Sequence, residues 1–280
     1  MKLISHRYGK GRVRVMKVLR DGPIHSIKEL TASIGLEGDF ESSFTQADNS
    51  LVVPTDTMKN TVNVLAHERL GRENESFALV VASHFLAKYP QVSRVTVELT
   101  ERLWGRLHIE GQPHSHSFAQ AESETPFTRL TLSRDGTRHH ESGVRDFIIL
   151  KSTGSGFADY PKCDYTTLPE TTDRIMATRL CATWRWGAEP ADYCTAYGSI
   201  ITAMLTPFAK NYSASVQATL WEMGQAALRA CASISHITLA MPNLHYLPIN
   251  LAPFGRENRN EVFTPTDEPH GHIEATVARD

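Results

Sequence analysis

One order of patterns occurs twice along this 280-residue chain: strand, strand, helix, helix, strand, strand. In the first half, strand-like alternation flanks a turn at Asp21-Gly22-Pro23, and helical patterns cover residues 55–68 and 76–89. Apolar and polar residues then alternate over residues 94–100, as they do in a half-buried strand. A duplicated unit of this kind predicts an α+β fold of antiparallel sheets, each covered by two helices.

The second half repeats this order. Ser213 or Ser215 can cap its second helix, as Thr55 or Asp56 can cap the first helix of the other half. We therefore predict two domains, residues 1–120 and residues 121–280. Strand and helix patterns of the second half cover residues 128–132, 147–150, 191–205, 213–232, 237–241 and 273–277.

A four-stranded antiparallel sheet with helices on one face leaves its edge strands exposed. Such edges pair readily with another copy of the chain, and closing several sheets into a barrel removes them. We therefore expect the protein to self-associate.

The composition is that of an ordinary globular protein, with 41% hydrophobic and 21% charged residues. Lys and Arg (29) nearly balance Asp and Glu (31), which gives no support to nucleic-acid or membrane-surface binding. The absence of a C-x-x-C pair favours reduced thiols, and the absence of a leader-like segment, of an 18-residue apolar stretch and of a peroxisomal C-terminal signal favours the cytoplasm. The four cysteines are Cys163, Cys181, Cys194 and Cys231.

Several polar segments interrupt the strand and helix patterns and are candidates for chemistry. The segment joining residues 155–157 to 165–174 carries an aromatic residue and an arginine, which could stack on and clamp a flat ligand. Each segment also has an ordinary structural explanation, such as a solvated arm, a helix cap or a surface loop. The other candidates are Lys10 between two glycines, Thr55-Asp56 at a strand-to-helix junction, Val216-Gln217 in the first turn of a helix, and Asn243 and His245 at a strand end.

Histidine pairs such as His114 and His116 lack a Cys or carboxylate partner at a recognised ligand spacing, so we predict no metal site. Phosphate-binding and dinucleotide-binding glycine motifs are absent from the sequence, as is the serine-hydrolase elbow. The sequence therefore gives no support to a nucleotide cofactor.

Taken together, these segments resemble the motif set of the urate oxidase (uricase) family over nearly the whole chain. The motifs that carry the resemblance are Arg7-Tyr8-Gly9-Lys10, Ala47-Asp48-Asn49-Ser50, Thr55-Asp56-Thr57-Met58-Lys59-Asn60-Thr61, Asp164-Tyr165-Thr166-Thr167-Leu168, Asp173-Arg174-Ile175, Ser213-Ala214-Ser215-Val216-Gln217, Pro242-Asn243-Leu244-His245-Tyr246 and Glu261-Val262-Phe263.

The resemblance implies tandem tunnelling-fold (T-fold) units, four chains stacked as barrels into a homotetramer, and active sites at the subunit interfaces. It implies oxidation of urate by dioxygen and water to 5-hydroxyisourate and hydrogen peroxide, in purine catabolism and without a cofactor. One chain would supply Lys10, Thr55 and Asp56, and its neighbour would supply Phe157, Leu168, Arg174, Val216, Gln217 and Asn243; the chain that supplies His245 stays open.

The resemblance also implies a role for each residue. Phe157 would stack on the purine, while Arg174, Gln217 and the Val216 backbone would hold one edge of it and Thr55 and Asp56 the other. The remaining roles are a proton relay of Lys10, Thr55 and His245, and a site for dioxygen and then water at Asn243 and Thr55.

Two alternatives remain at this point. A T-fold enzyme acting on pterins or GTP would commonly need zinc-binding histidines. A catalytically silent purine-binding oligomer would need the clamp residues but not Lys10, Thr55 and His245.

Overall fold

The structure is a computed structural model and describes residues 1–121 and 124–279. The chain divides into two compact units, Met1–Gly143 and Val144–Asp280. Over the described residues, no helix is long and apolar enough to cross a membrane.

The first unit is a sheet with two long helices packed on one face. Its sheet order is β1-β2-β3-β6, with antiparallel pairing throughout, and a separate hairpin of β4 and β5 is inserted between β3 and β6. The elements are β1 (Tyr8–Leu19), β2 (Ser26–Gly38), α1 (Glu41–Thr45), α2 (Thr55–Arg69), α3 (Asn74–Lys88), β3 (Val92–Arg102), β4 (Trp104–Ile109), β5 (Gln112–Gln120) and β6 (Thr125–Ser133).

The second unit has the same chain order. Strand β7 contains the boundary between the units; β8 neighbours β7, and β9 pairs with both β8 and β12. The inserted pair is here β10 with β11. The elements are β7 (Arg138–Lys151), β8 (Met176–Trp186), α4 (Tyr193–Lys210), α5 (Val216–Ala230), β9 (Ile234–Ala240), β10 (Asn243–Pro248), a 3-10 turn (Ala252–Phe254), β11 (Phe263–Thr266) and β12 (Glu274–Ala278).

Alternation along the strands builds the two cores. In β2 every second residue from Leu30 to Leu36 is buried, and in β8 the same is true from Leu180 to Trp186. These rows face the apolar sides of the helices, since buried positions of α2 such as Met58 and Val62 recur one turn apart. The intervening, more polar residues of each sheet lie on the other face.

The structure confirms the predicted α+β class and the duplicated order of elements, and it differs from the prediction in individual strands. The sequence pattern does not predict strand β8, because small residues such as Ala182 and Cys181 weaken the contrast of its alternation. Strand β6, which the patterns place in the second half, pairs with β3 and belongs to the first unit. The inserted β4–β5 hairpin occupies the position where the sequence predicts that the first domain ends.

The helix caps also differ from expectation in one case. Ser215 caps α5 as predicted, because its side chain accepts a hydrogen bond from the Ala218 N–H at 3.1 Å. The predicted caps of α2 are wrong: Pro54 occupies the capping position, and neither Thr55 nor Asp56 accepts a capping hydrogen bond. The first N–H groups of α2 are therefore not satisfied by a side chain at that helix end.

Two helical glycines allow a direct test of packing in the second unit. A Cβ on Gly224 would lie 2.6 Å from Val277 Cγ2, whereas a Cβ on Gly198 would meet no atom within 4 Å. We expect Gly224→Ala to destabilise the fold by about 1–3 kcal/mol through overpacking. Gly198→Ala should stabilise it by up to about 1 kcal/mol, because alanine is the better helix former. Thermal unfolding of both variants checks this, and melting temperatures that shift in the same direction would contradict the packing of α5 on β12.

His140 gives the first unit a predictable response to acid. Its side chain is buried, and burial, with a smaller contribution from nearby Arg138, lowers the pKa of His140 to about 3. The unfolded chain binds a proton there below about pH 6.5, whereas the folded chain does not, so stability falls as the pH drops through this range. Between pH 6.5 and pH 5, His140 should contribute a loss of about 2 kcal/mol.

We expect His140→Gln to remove the loss of stability that comes from protonation of His140. The free energy of unfolding of this variant should then depend less steeply on pH between about 6.5 and 5 than that of the wild type. Urea titrations of both proteins across that range measure the difference. Parallel curves would show that His140 does not carry the effect.

Candidate active site

The predicted site residues fall into two groups, one in each unit. In the first unit, Lys10 lies on β1 between Gly9 and Gly11, just before a β-bulge in the pairing of β1 with β2. Lys10 borders a cavity of about 290 Å³ that is also lined by Ser33, Thr96 and Glu98. Thr55 and Asp56 are the first two residues of α2 and are exposed.

A single tyrosine ties together the segments that carry Lys10 and Thr55. The Tyr8 hydroxyl accepts a hydrogen bond from the Val53 N–H at 2.7 Å and donates one to the Val53 carbonyl at 3.3 Å. The ring of Tyr8 packs edge-on against Phe40, with centroids 4.9 Å apart. Tyr8 precedes Lys10 by two residues and Val53 precedes Thr55 by two, so this contact restrains the separation of the two predicted site residues.

The Asp56 side chain is already engaged. Its pKa is held below the usual value chiefly by the hydrogen bond from Lys59, whose Nζ lies 2.5 Å from Oδ1, and to a smaller extent by the charge of Lys10. Asn60 donates to the other carboxylate oxygen at 3.0 Å. Asp56 can also offer a ligand its backbone N–H, because no side chain caps this end of α2.

In the second unit, one cavity collects five of the predicted residues. It has a volume of about 370 Å³ and is lined by the loop that precedes β8 in sequence, by β10 and by residues 260 and 263. Phe157, Leu168, Arg174, Asn243 and His245 all line it.

The loop that carries Phe157 and Arg174 is held by its own backbone. Phe157 and Thr171 exchange two backbone hydrogen bonds, of 2.7 and 3.0 Å, and the Arg174 N–H donates to the Ser155 carbonyl at 2.8 Å. Asp173 Oδ1 accepts from the Thr153 hydroxyl at 2.7 Å. The Arg174 guanidinium carbon lies 5.4 Å from the centroid of the Phe157 ring, so an aromatic face and a cation meet at one wall of the cavity.

Arg174 has an unused donor. Its guanidinium is about half buried, and that desolvation lowers its pKa from the usual value, although arginine stays charged at neutral pH. Among the described residues, no group accepts a hydrogen bond from its buried Nε. A buried donor without a partner costs about 1–3 kcal/mol, and an anionic acceptor in the cavity would recover it.

Val216 and Gln217 begin α5 and do not line this cavity as it stands. Val216 is buried and Gln217 is exposed. Their position relative to Phe157 is fixed nonetheless, because the Ser213 carbonyl accepts from the Gly156 N–H at 2.8 Å and the Ser213 N–H donates to the Gly154 carbonyl at 2.9 Å.

Asn243 and His245 lie two residues apart on β10, so their side chains project from the same face of that strand. Asn243 pairs with Thr178 of β8, and its backbone N–H donates to the Gly271 carbonyl at 2.8 Å. His245 pairs with Thr266 of β11. Backbone pairing on both sides of β10 therefore positions an amide and an imidazole in one cavity wall.

Three tyrosines that support the site have no predicted role. Tyr8 joins the Lys10 and Thr55 segments, Tyr160 stacks on Phe157, and Tyr212 donates to the Thr172 carbonyl at 2.9 Å. Tyr8 belongs to the Arg7-Tyr8-Gly9-Lys10 motif, but its contact with Val53 cannot be predicted from the spacing of residues in the sequence. Over residues 1–121 and 124–279, no three His, Cys, Asp or Glu side chains converge in a way that could hold a metal.

The fold and this site define an α+β protein of two related sheet units that can hold a flat anionic ligand against an aromatic ring and a guanidinium. A family model described as Uricase matches residues 6–131 and 140–274, one match in each half. The chain is 41% identical to the uricase of Cyberlindnera jadinii, with 99% of this chain and 97% of that protein aligned. It is 38% identical to the uricase of Arthrobacter globiformis, with coverages of 99% and 89%.

The crystal structure of the Arthrobacter globiformis uricase superposes with a TM-score of 0.94 over 100% of this chain and 96% of that one, at 38% identity. A uricase from Bacillus fastidious gives a TM-score of 0.86 at 25% identity, covering 98% and 94%. The chain belongs to the uricase family.

Gly156 tests how tightly this site is assembled. A Cβ there would lie 2.2 Å from the Tyr212 hydroxyl and 2.8 Å from the Thr171 carbonyl oxygen, so Gly156→Ala must displace the loop on either side of Phe157. We expect this variant to lose about tenfold or more in affinity for a flat purine anion, measured by calorimetry. Gly271→Ala is the matched control, because the nearest atom to its Cβ would be Ile273 Cδ1, at an ordinary contact distance of 3.8 Å. Equal affinities of the two variants would argue against a rigid loop.

Proposed function

We propose that the protein is a urate oxidase that converts urate, dioxygen and water to 5-hydroxyisourate and hydrogen peroxide without a metal or an organic cofactor. The observation that carries this proposal is the half-buried Arg174 guanidinium over the Phe157 ring, with a free Nε donor, in a cavity that also holds Asn243 and His245. Membership of the uricase family supports the same substrate.

Urate suits this site because it is flat, electron-rich and anionic near neutral pH. Phe157 offers it a stacking face, and Arg174 offers a cationic fork whose N–H groups match adjacent acceptors on the ring edge. Leu168 covers the ring with apolar surface. The Val216 backbone and the Gln217 amide complete one edge of the purine, because hydrogen bonds of Ser213 hold the first turn of α5 beside the Phe157 loop.

Oxidation needs a second proton to leave urate, because the more electron-rich dianion can pass an electron to dioxygen directly. Lys10, Thr55 and His245 form the proton relay in this proposal, with the amine of Lys10 as the base. A positioned amine can accept a proton from a bound substrate as a general base. Asn243 and Thr55 hold dioxygen, and afterwards the water that supplies the new hydroxyl group.

The active site is proposed to be shared between chains of a homotetramer. Lys10 lies on β1, and among the described strands β1 pairs only with β2, so the other edge of β1 has ladder groups available for another copy. Lys10, Thr55 and Asp56 then come from one chain, and Phe157, Leu168, Arg174, Val216, Gln217 and Asn243 from its neighbour. The chain that provides His245 is not assigned, and the cytoplasmic location stays a prediction from the sequence.

The activity itself has a direct test. Purified protein in chelator, with no added cofactor, should remove the ultraviolet absorbance of urate while consuming oxygen and releasing peroxide in equal amounts. A protein that binds urate without turning it over would instead be the silent purine-binding oligomer. A requirement for zinc would favour the pterin or GTP alternative.

Sharing of the site can be tested by mixing two inactive variants. We expect Thr55→Ala and Arg174→Gln each to lower turnover by about a hundredfold, because one interrupts the relay and the other removes the charged clamp. Co-expressed in equal amounts, they should recover about one quarter of wild-type activity, since randomly assembled oligomers combine intact halves at that frequency.

The control joins both changes in one chain and co-expresses it with the wild type. About one quarter of wild-type activity is expected if sites are shared, and about one half if each site lies within one chain. Absence of recovery in the first mixture together with one half in the second would overturn the shared site.

A further inference from the structure

Tyr160 is in contact with two of the residues that line the cavity of the second unit. Its ring is stacked on that of Phe157, with centroids 4.8 Å apart and planes inclined by 16°. Its hydroxyl donates a hydrogen bond to the Leu168 carbonyl at 2.5 Å. Tyr160 itself does not line the cavity.

The stacked Tyr160 ring restrains the orientation of the Phe157 side chain. Phe157 lies in a loop outside the regular strands and is held by an isolated bridge to Thr171, which fixes its backbone but not the tilt of its ring. A nearly parallel aromatic ring covers one face of Phe157 and resists rotation of its side chain. A flat ligand then meets a Phe157 ring whose orientation is already restrained.

The hydroxyl of Tyr160 has a separate effect on Leu168. The Leu168 side chain is 56% exposed although it is apolar, and it lies in a segment without helix or strand. The hydrogen bond from Tyr160 restrains the backbone at this residue. One side chain therefore connects the stacking ring with the apolar group that is proposed to cover the substrate.

Salt-bridged neighbours support Tyr160 in turn. Lys162 Nζ lies 5.8 Å from the centroid of the Tyr160 ring and 2.8 Å from Glu170 Oε1. Three ring contacts therefore follow one another. Lys162 lies over Tyr160, Tyr160 stacks on Phe157, and Arg174 lies over Phe157 at the cavity wall. The ion pair of Lys162 and Glu170 is thus linked through Tyr160 to the proposed stacking ring of Phe157.

We propose that Tyr160 is a positioning residue for substrate binding: it backs the Phe157 ring and restrains Leu168, so that the slot for a planar purine is formed before the ligand arrives. This inference rests on the proposed function. Within the described part of one chain, the contacts of Tyr160 are with Phe157, Leu168 and Lys162 rather than with relay residues. Its loss should therefore affect binding of the purine and leave the proton-transfer steps unchanged.

The test compares Tyr160→Leu with Tyr160→Phe. The leucine variant loses the stacked ring, and we expect KM for urate and Kd for xanthine, a flat purine without the 8-oxo group, to rise about three- to tenfold. The phenylalanine variant keeps the stack and loses only the hydrogen bond to Leu168, so both constants should rise less, by about twofold. The pH profile of kcat should be unchanged in both.

Tyr165→Leu is the matched control, because Tyr165 is in the same loop with a side chain that is 92% exposed, and its loss should change neither constant. Tyr160→Met provides a second variant without the ring if Tyr160→Leu does not fold. Wild-type affinity in the leucine or methionine variant, equal losses in the leucine and phenylalanine variants, or a shifted kcat profile would each overturn the proposal. Xanthine binding keeps this test separate from the proposed function, since it can be measured even if the wild type fails to oxidise urate.

Discussion

Each unit depends on a sheet that has only one face covered by its own helices. Rows such as Leu30 to Leu36 in β2 and Leu180 to Trp186 in β8 bury their side chains under two helices, and the residues between them remain more polar. This burial holds the strands and helices in one arrangement, because removing apolar surface from water is the dominant favourable contribution to folding. Strand ends, helix starts and the loops between strands then remain available, and the predicted site residues lie at these places.

The site draws its order from backbone pairing more than from side-chain contacts. The exchange between Phe157 and Thr171 and the links of Ser213 to Gly154 and Gly156 position the stacking ring. Pairing of β10 with β8 and β11 does the same for Asn243 and His245. Within this frame, the buried Arg174 Nε lacks an acceptor among the described residues, and an anionic ligand would supply one.

The first unit carries two of the residues that are proposed to transfer the proton. Lys10 and Thr55 lie on separate elements, and the contact of Tyr8 with Val53 relates one to the other. Asp56 is occupied by Lys59 and Asn60, so its carboxylate is an unsuitable base. In the proposed mechanism, the amine of Lys10 therefore takes the proton and the second unit holds the purine.

Periodicity alone fixed the α+β class, the four long helices and the repeated order of elements, because burial of one face of a strand or helix leaves a regular trace in the sequence. The motifs around Lys10, Thr55, Arg174 and Asn243 likewise identified the family, since residue identities at given spacings are properties of the chain itself. The tertiary structure alone decided that β6 belongs to the first unit, that Pro54 stands where a capping side chain was expected, and that Tyr160 backs Phe157. These features depend on contacts between segments whose meeting leaves no periodic signal, and only packing in three dimensions brings them together.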